Sequence, residues 1–203
     1  MLTVVTATYN RAYTLPRLFD SLLQQTKLDF EWVVVNDGST DETESLLNEF
    51  QSHAVFPIKV ITQKNAGKHV AINSGVDVSS GEWIYFVDSD DALPVDAVEV
   101  FTAAVNNHKD EATVGYCYRK QVFSGKIVGR PIDGSTSEMT LMTPTAAGNF
   151  YKGDLAYIFK RAALIKHPFP VFDDEKFVPE LLIWNRVADE GQVKFFGNKV
   201  LYL

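Results

Sequence analysis

Over its first 110 residues the chain alternates between two kinds of apolar pattern, and this alternation restricts its possible folds more than any other feature. Strand-like runs at Leu2 to Thr8, Glu31 to Val35, Ile58 to Thr62 and Trp83 to Val87 are separated by three segments of helical periodicity. Strand, helix and strand in succession favour parallel pairing, because each helix returns the chain to the edge where the previous strand began. The expected fold is α/β: a three-layer α/β/α sandwich around a mostly parallel central sheet. Strands covered on both faces must be apolar nearly throughout, and "EWVVV" and "WIYFV" have that character.

In the first helical segment Leu15, Leu18, Phe19, Leu22 and Leu23 recur at core-facing spacing, with Thr14 in place to cap it. In the second, "NDGSTDETESLLNEF", Ser39 and Glu42 have the spacing of a capping box, and Leu46, Leu47 and Phe50 supply the apolar side. A third helix is expected near Lys68 to Val76, and a fourth on Val95, Val98, Phe101 and Val105, ended by "NNHKD". A strand from Thr113 to Phe123 follows. From Ser124 to Gly148 the chain is rich in Gly, Ser, Thr and Pro, which reads as one long functional loop. A strand at "LAYIF", a helix around Pro179 to Ala188 and a strand at "VKFFGNKVLYL" complete the pattern. The reading is one domain over residues 1–203, in two halves, 1–110 and 111–203.

With 203 residues, 46% of them hydrophobic, the chain can bury a core without disulfides or structural metal. A net charge of −7 argues against a nucleic-acid surface. The single cysteine, Cys117, excludes an internal disulfide and reads as a buried, inert thiol. The four histidines lack metal-ligand spacing, and neither GxxxxGK[ST] nor GxGxxG occurs. No apolar stretch approaches the ~20 residues of a membrane helix. The N-terminus enters a strand directly, with no secretory pattern, so the expected location is the cytoplasm or the inner face of the membrane. The sequence ends inside a strand-like run, "KVLYL", as if a longer protein continued past Leu203.

Ligands of open parallel sheets bind beyond the carboxyl ends of the strands, near a reversal of strand order. The strand-end clusters Thr8-Tyr9-Asn10, Asn36-Asp37-Gly38, Lys64-Asn65-Ala66-Gly67-Lys68 and Asp88-Ser89-Asp90 should therefore share one edge. Asp37 can accept an imino N–H such as that of uracil, or serve only as a turn residue. Tyr9 can offer a flat face to a base, or pack in the core. Gly67 and Lys68 at a helix mouth suit a phosphate, though the pair alone is a weak signal. Asp88, Asp90 and Asp91 crowd three carboxylates into four positions, which is costly unless a cation offsets them. Asp88 and Asp90 can face one side, and their hard oxygens suit Mg²⁺ or Mn²⁺ bridging to a diphosphate. The alternative is that Asp90 or Asp91 caps the helix after Pro94.

Four segments, "VVTATYNRAYTLPRLFDSLLQQT", "FEWVVVNDGSTDET", "NAGKHVAINSGVDVSSGEWIYFVDSDD" and "EKFVPELLIWNRVADEG", resemble family 2 glycosyltransferases of the GT-A fold over almost the whole chain. The resemblance implies an inverting transferase that uses a nucleotide-diphospho-sugar, typically a UDP-sugar, with Mn²⁺ or Mg²⁺. Its acceptor would be a hydroxyl of a glycan or lipid-linked molecule, as in cell-surface polysaccharide synthesis. Residues 1–110 would then be the nucleotide-sugar half and 111–203 the acceptor half, with any segment past Leu203 adding peripheral membrane contact.

By the same resemblance Thr8, Tyr9 and Asp37 hold the nucleoside, with Asn10, Asn65, Gly67 and Lys68 beside them on the donor. Asp88 meets the ribose and, with Asp90, the metal. Glu180 is the expected base and Asp90 the metal-bearing catalytic carboxylate. Many relatives carry Glu-Asp at this point with the Asp as base; here Leu181 follows Glu180, and Asp173 and Asp174 are fallbacks. Read without the resemblance, Glu180 is a solvated acid in a helix's first turn. Ile72 stands where relatives often have arginine, a charge that Lys68 can supply. Trp184 either lines the acceptor site or packs in the core. Two other readings are a nucleotidyltransferase, which would need a glycine-rich basic loop where this chain has "TATYNRAYT", and a non-catalytic nucleotide- or glycan-binding module.

Overall fold

The computed structural model describes residues 1–108, 110–131 and 138–202. Its elements run β1 (Leu2–Thr8), α1 (Leu15–Leu23), β2 (Phe30–Asn36), α2 (Thr43–His53), β3 (Ile58–Thr62), α3 (Lys68–Val78), β4 (Trp83–Phe86) and α4 (Ala97–Asn107). There follow β5 (Thr113–Lys120), β6 (Thr140–Leu141), α5 (Pro144–Tyr151), β7 (Leu155–Lys160), α6 (Arg161–Lys166), α7 (Glu180–Ala188) and β8 (Gln192–Tyr202). The eight strands form one sheet in the order β3-β2-β1-β4-β7-β5-β8-β6. Pairing is parallel from β3 through β4 and between β5 and β8, whereas β7 and β6 run antiparallel to their neighbours. The mostly parallel α/β sandwich expected from the sequence is the one observed.

Alternation along each strand divides the apolar residues between two cores. Val4, Trp32, Val34 and Tyr85 face α1, α2 and α4, whose Leu18, Leu22, Leu47, Phe50 and Phe101 complete one cluster. Val5, Val33, Val35 and Ile84 point the other way, against Ile72 and Val76 of α3 and Ile183, Trp184 and Val187 of α7. Helix α3 lies close to the sheet because Gly75 has no side chain: a Cβ there would stand 2.6 Å from Val5 Cγ1. The chain winds from β1 outward to β2 and β3, then returns to place β4 on the other side of β1. That reversal opens a crevice beyond the carboxyl ends of β1 and β4.

Local details depart from the sequence reading. Thr14 does precede α1, but its hydroxyl donates to Arg11 O at 3.2 Å instead of capping the first turn. The Ser39–Glu42 box does not form: Glu42 is itself the residue before α2, and Ser39 Oγ accepts the N–H of Asn10 at 2.9 Å. Val95 is not part of the α4 stripe; it is exposed ahead of the helix, and its carbonyl accepts the N–H of Thr26. The segment 124–148 is not one loop, since it holds β6 and the start of α5, where Thr143 Oγ1 accepts the N–H of Ala146. Residues 132–137 of that segment, and Lys109 of "NNHKD", lie outside the described residues.

Candidate active site

Beyond the crevice the strand-end clusters do converge. A cleft of ≈ 340 Å³ is lined by Thr8, Tyr9, Arg11, Asp37, Lys68, Asp88 and Asp90, drawn from the ends of β1, β2 and β4 and the start of α3. Tyr9 is 47% exposed, which excludes the core-packing alternative and leaves its ring open to the cleft. Thr8 is buried, and its Oγ1 has no hydrogen-bond partner among the described residues. An enclosed hydroxyl without a partner is costly, and a ligand polar group in the cleft would relieve it.

Asp37 is almost wholly enclosed. Its Oδ1 accepts from Gln63 Nε2 at 2.8 Å and from the N–H of Ala66 at 3.0 Å, and its Oδ2 accepts the N–H of Gly67 at 2.9 Å. Those three bonds leave one lone-pair direction on Oδ2 unused by them. Asp37 is therefore a turn residue that also lines the cleft. Asn10 is left-handed, with φ 53°; its Oδ1 accepts the N–H of Thr40 at 2.8 Å. Asn65 Oδ1 accepts from Lys176 Nζ at 2.8 Å. Neither asparagine lines the cleft; each fastens one of its loops.

Gly67 has φ 97°, and an added Cβ would fall 2.4 Å from the Lys176 carbonyl oxygen, so the segment leading to α7 lies directly on the mouth of α3. This close approach brings Lys68 and Glu180 together. Lys68 Nζ stands 2.6 Å from Asp88 Oδ1 and 2.6 Å from Glu180 Oε1. Partial burial of the ammonium works against its charge, but the Glu180 and Asp88 carboxylates outweigh this and raise its pKa well above the ordinary lysine value. Lys68 thus supplies positive charge, while Ile72 is buried in the core beside Val76.

Asp88, Asp90 and Asp91 can place one carboxylate oxygen each within 4.8 Å of one another. Asp91 pairs with Lys120 Nζ at 3.1 Å, and the backbone carbonyl of Asp90 accepts from the Arg17 guanidinium. Asp90 and Asp91 lie ahead of α4, whose preceding residue is Asp96, so neither caps it. Hard carboxylate oxygens suit Mg²⁺ or Mn²⁺; opposite oxygens of such an ion lie about 4.2 Å apart, so a small inward turn of these side chains would close the set on it.

On the far side of Asp88 a second cavity of ≈ 380 Å³ is lined by Phe86, Asp88, Lys120, Asp154, Tyr157, Glu180, Leu181 and Trp184 among others. Trp184 lines this cavity and is packed in the core, 3% exposed, with its ring 4.8 Å from that of Phe86 and 5.1 Å from that of Phe159. Asp173 and Asp174 are exposed in the turn closed by the Phe172–Glu175 bridge and line neither cavity. Sequence reasoning missed Arg11, Lys120 and Asp154. Arg11 directly follows the first polar cluster and could have been found there; Lys120 ends β5 and Asp154 directly precedes β7, neither with a local signal.

The model of the family described as "Glycosyl transferase family 2" matches residues 3–166. The chain is 38% identical over its full length to Glycosyltransferase GlyA of Streptococcus pneumoniae, of which it spans 29%. Among solved structures it is similar to S. aureus TarS 1–349 in complex with UDP-GlcNAc, with a TM-score of 0.81, 22% identity, and coverage of 99% of this chain and 57% of that one. It is also similar to the mannosyltransferase PcManGT of Pyrobaculum calidifontis, solved with GDP-Man and Mn²⁺, with a TM-score of 0.71, 21% identity, and coverage of 98% and 55%.

Proposed function

The chain belongs to glycosyl transferase family 2 and has the GT-A fold, and from that premise we propose that it transfers a sugar, with inversion, from a UDP-sugar to a hydroxyl of a glycan or lipid-linked acceptor. The observation that carries this reading is the position of Asp88, which lines both cavities, one with Tyr9, Asp37 and Asp90 and the other with Glu180, and whose carboxylate lies beside those of Asp90 and Asp91. The complex of TarS with UDP-GlcNAc supports a uridine donor, and that of PcManGT with Mn²⁺ supports a divalent ion.

In this reading the Tyr9 ring carries the base, the unused lone pair of Asp37 Oδ2 accepts its imino N–H, and Thr8 Oγ1 gains a polar partner. Asp88 and Asp90 hold the divalent ion, which when bound stabilises the charge of the departing diphosphate. Glu180 removes the proton of the acceptor hydroxyl. The acceptor oxygen then bonds to the anomeric carbon from the face opposite the diphosphate, and the bond from that carbon to the diphosphate oxygen breaks. The second cavity, apolar on Phe86, Tyr157 and Leu181 and polar at Asp154 and Lys120, suits a sugar ring with its hydroxyls. Cytoplasmic location, near the inner face of the membrane, fits this substrate pair. Among the described residues no helix is long and apolar enough to cross a membrane.

The test is sugar release and transfer from a panel of UDP- and GDP-sugars, measured with Mn²⁺ and again with EDTA. Turnover of a UDP-sugar that EDTA removes is the expected result. Nucleoside diphosphate binding without any turnover would instead favour the non-catalytic module.

A further inference from the structure

Lys68 is the meeting point of the site: it lines the donor cleft, and its two carboxylate partners both line the acceptor cavity. The three residues come from the first turn of α3, the turn after β4 and the first turn of α7. Lys68 is half-exposed, as is Asp88, so the pairs are adjustable contacts and not part of the core. Asp88 is also one of three carboxylates able to share a cation. An ammonium and a divalent ion on the same carboxylate repel one another, so the two compete.

We infer that Lys68 is a resident counter-ion of Asp88, displaced when the divalent ion arrives, and that its release from Asp88 leaves it wholly on Glu180. This inference rests on the roles proposed above for Asp88 and Glu180. Lys68 is then a positioning residue: it stands in for the ion while the donor cleft is empty, and it fixes the Glu180 carboxylate once the cleft is loaded. The contacts at Asp88 and Glu180 have the same length in this structure, 2.6 Å, as expected of a cation shared between two anions. If Lys68 served only as a phosphate contact, its removal would weaken nucleotide binding and leave the affinity of the ion itself unchanged.

The experiment is Mn²⁺ uptake, read by electron paramagnetic resonance of the free ion, first without nucleotide and then with UDP. Lys68→Met should bind Mn²⁺ about two- to fivefold more tightly than the unaltered protein without nucleotide, the scale expected for loss of a half-exposed ion pair. Lys68→Arg should stay near the unaltered value. Glu180→Gln should bind Mn²⁺ more weakly, because the ammonium then has Asp88 as its charged partner alone. Circular dichroism melting checks that each variant folds, and Glu180→Gln tests the idea even if Lys68→Met does not fold. Unchanged or weaker Mn²⁺ affinity in Lys68→Met, or no change in Glu180→Gln, overturns the inference while leaving the transferase reading intact. Absence of Mn²⁺ uptake by the unaltered protein, with and without UDP, overturns both.

Discussion

Asp37 Oδ2 accepts the backbone N–H of Gly67 at 2.9 Å, tying the end of β2 to the mouth of α3 beside the cleft that Asp37 and Lys68 both line. With the bonds from Ala66 and Gln63, this one carboxylate sets the loop that carries Lys68 toward Glu180. Asp37→Ala leaves two backbone donors without their acceptor and is expected to destabilise the fold by roughly 1–3 kcal/mol for each of them, the range for an unsatisfied buried group. Urea unfolding checks the stability, and UDP titration should show affinity falling at the same time.

Gly67→Ala is expected to impair turnover more than nucleotide binding. Its positive φ is strained for any residue with a Cβ, and the added atom meets the Lys176 carbonyl four residues before Glu180. The strain alone should cost about 1–3 kcal/mol. A lower kcat for sugar transfer with UDP affinity largely retained would show that the α7 approach segment has been pushed away.

Replacement of the proposed base separates chemistry from binding. Glu180→Gln should lower kcat by about 10²–10⁴, the usual contribution of a positioned general base, while UDP still binds. Asp154→Asn is a control in the lining of the same cavity, and full loss of activity there with only mild effect in Glu180→Gln would transfer the base assignment to Asp154.

Asp90→Ala should abolish Mn²⁺-dependent transfer without unfolding the protein, since Asp90 is exposed and outside both cores. Activity equal to that of the unaltered protein, at matched Mn²⁺, would remove Asp90 from the mechanism.

Acid sensitivity should trace in part to Glu31, far from the site. Burial raises its carboxyl pKa, but the Ser80 N–H, the Thr3 hydroxyl at 2.7 Å and the Lys59 ammonium at 2.9 Å together prevail and hold it below the ordinary value. A carboxylate depressed in the folded state stabilises the fold above its unfolded pKa of about 4.3, and that contribution is lost as pH falls through the folded value. Glu31→Gln should therefore be less stable than the unaltered protein at pH 7, by roughly 1–3 kcal/mol, with the gap closing toward pH 3. Urea unfolding at the two pH values measures this difference.

The elements legible in the sequence were those whose signal is local and repeated. The stripe from Leu15 to Leu22 and the apolar run of β2 could be read because each element's own periodicity records which face is buried. Capping was less legible. Ser39 had the spacing for a local bond, yet the N–H of Asn10, distant in sequence, claimed its hydroxyl once β1 and β2 paired. The start of α5 was hidden because Pro, Thr, Ala and Gly mark a helix N-terminus as readily as a loop.

The sequence by itself determined the α/β class, the strand-end clusters and the crowding of Asp88, Asp90 and Asp91, since parallel strands carry their carboxyl ends to one edge whatever the loops do. Only the tertiary structure decided that Asp37 is mostly consumed by backbone donors and that one ammonium, Lys68, is shared by Asp88 and Glu180. The sharing of Lys68 goes with the close lie of the segment before α7 on Gly67, and the bonds of Asp37 with the pairing of β2 beside α3; both are set by packing between remote segments and written in no local pattern.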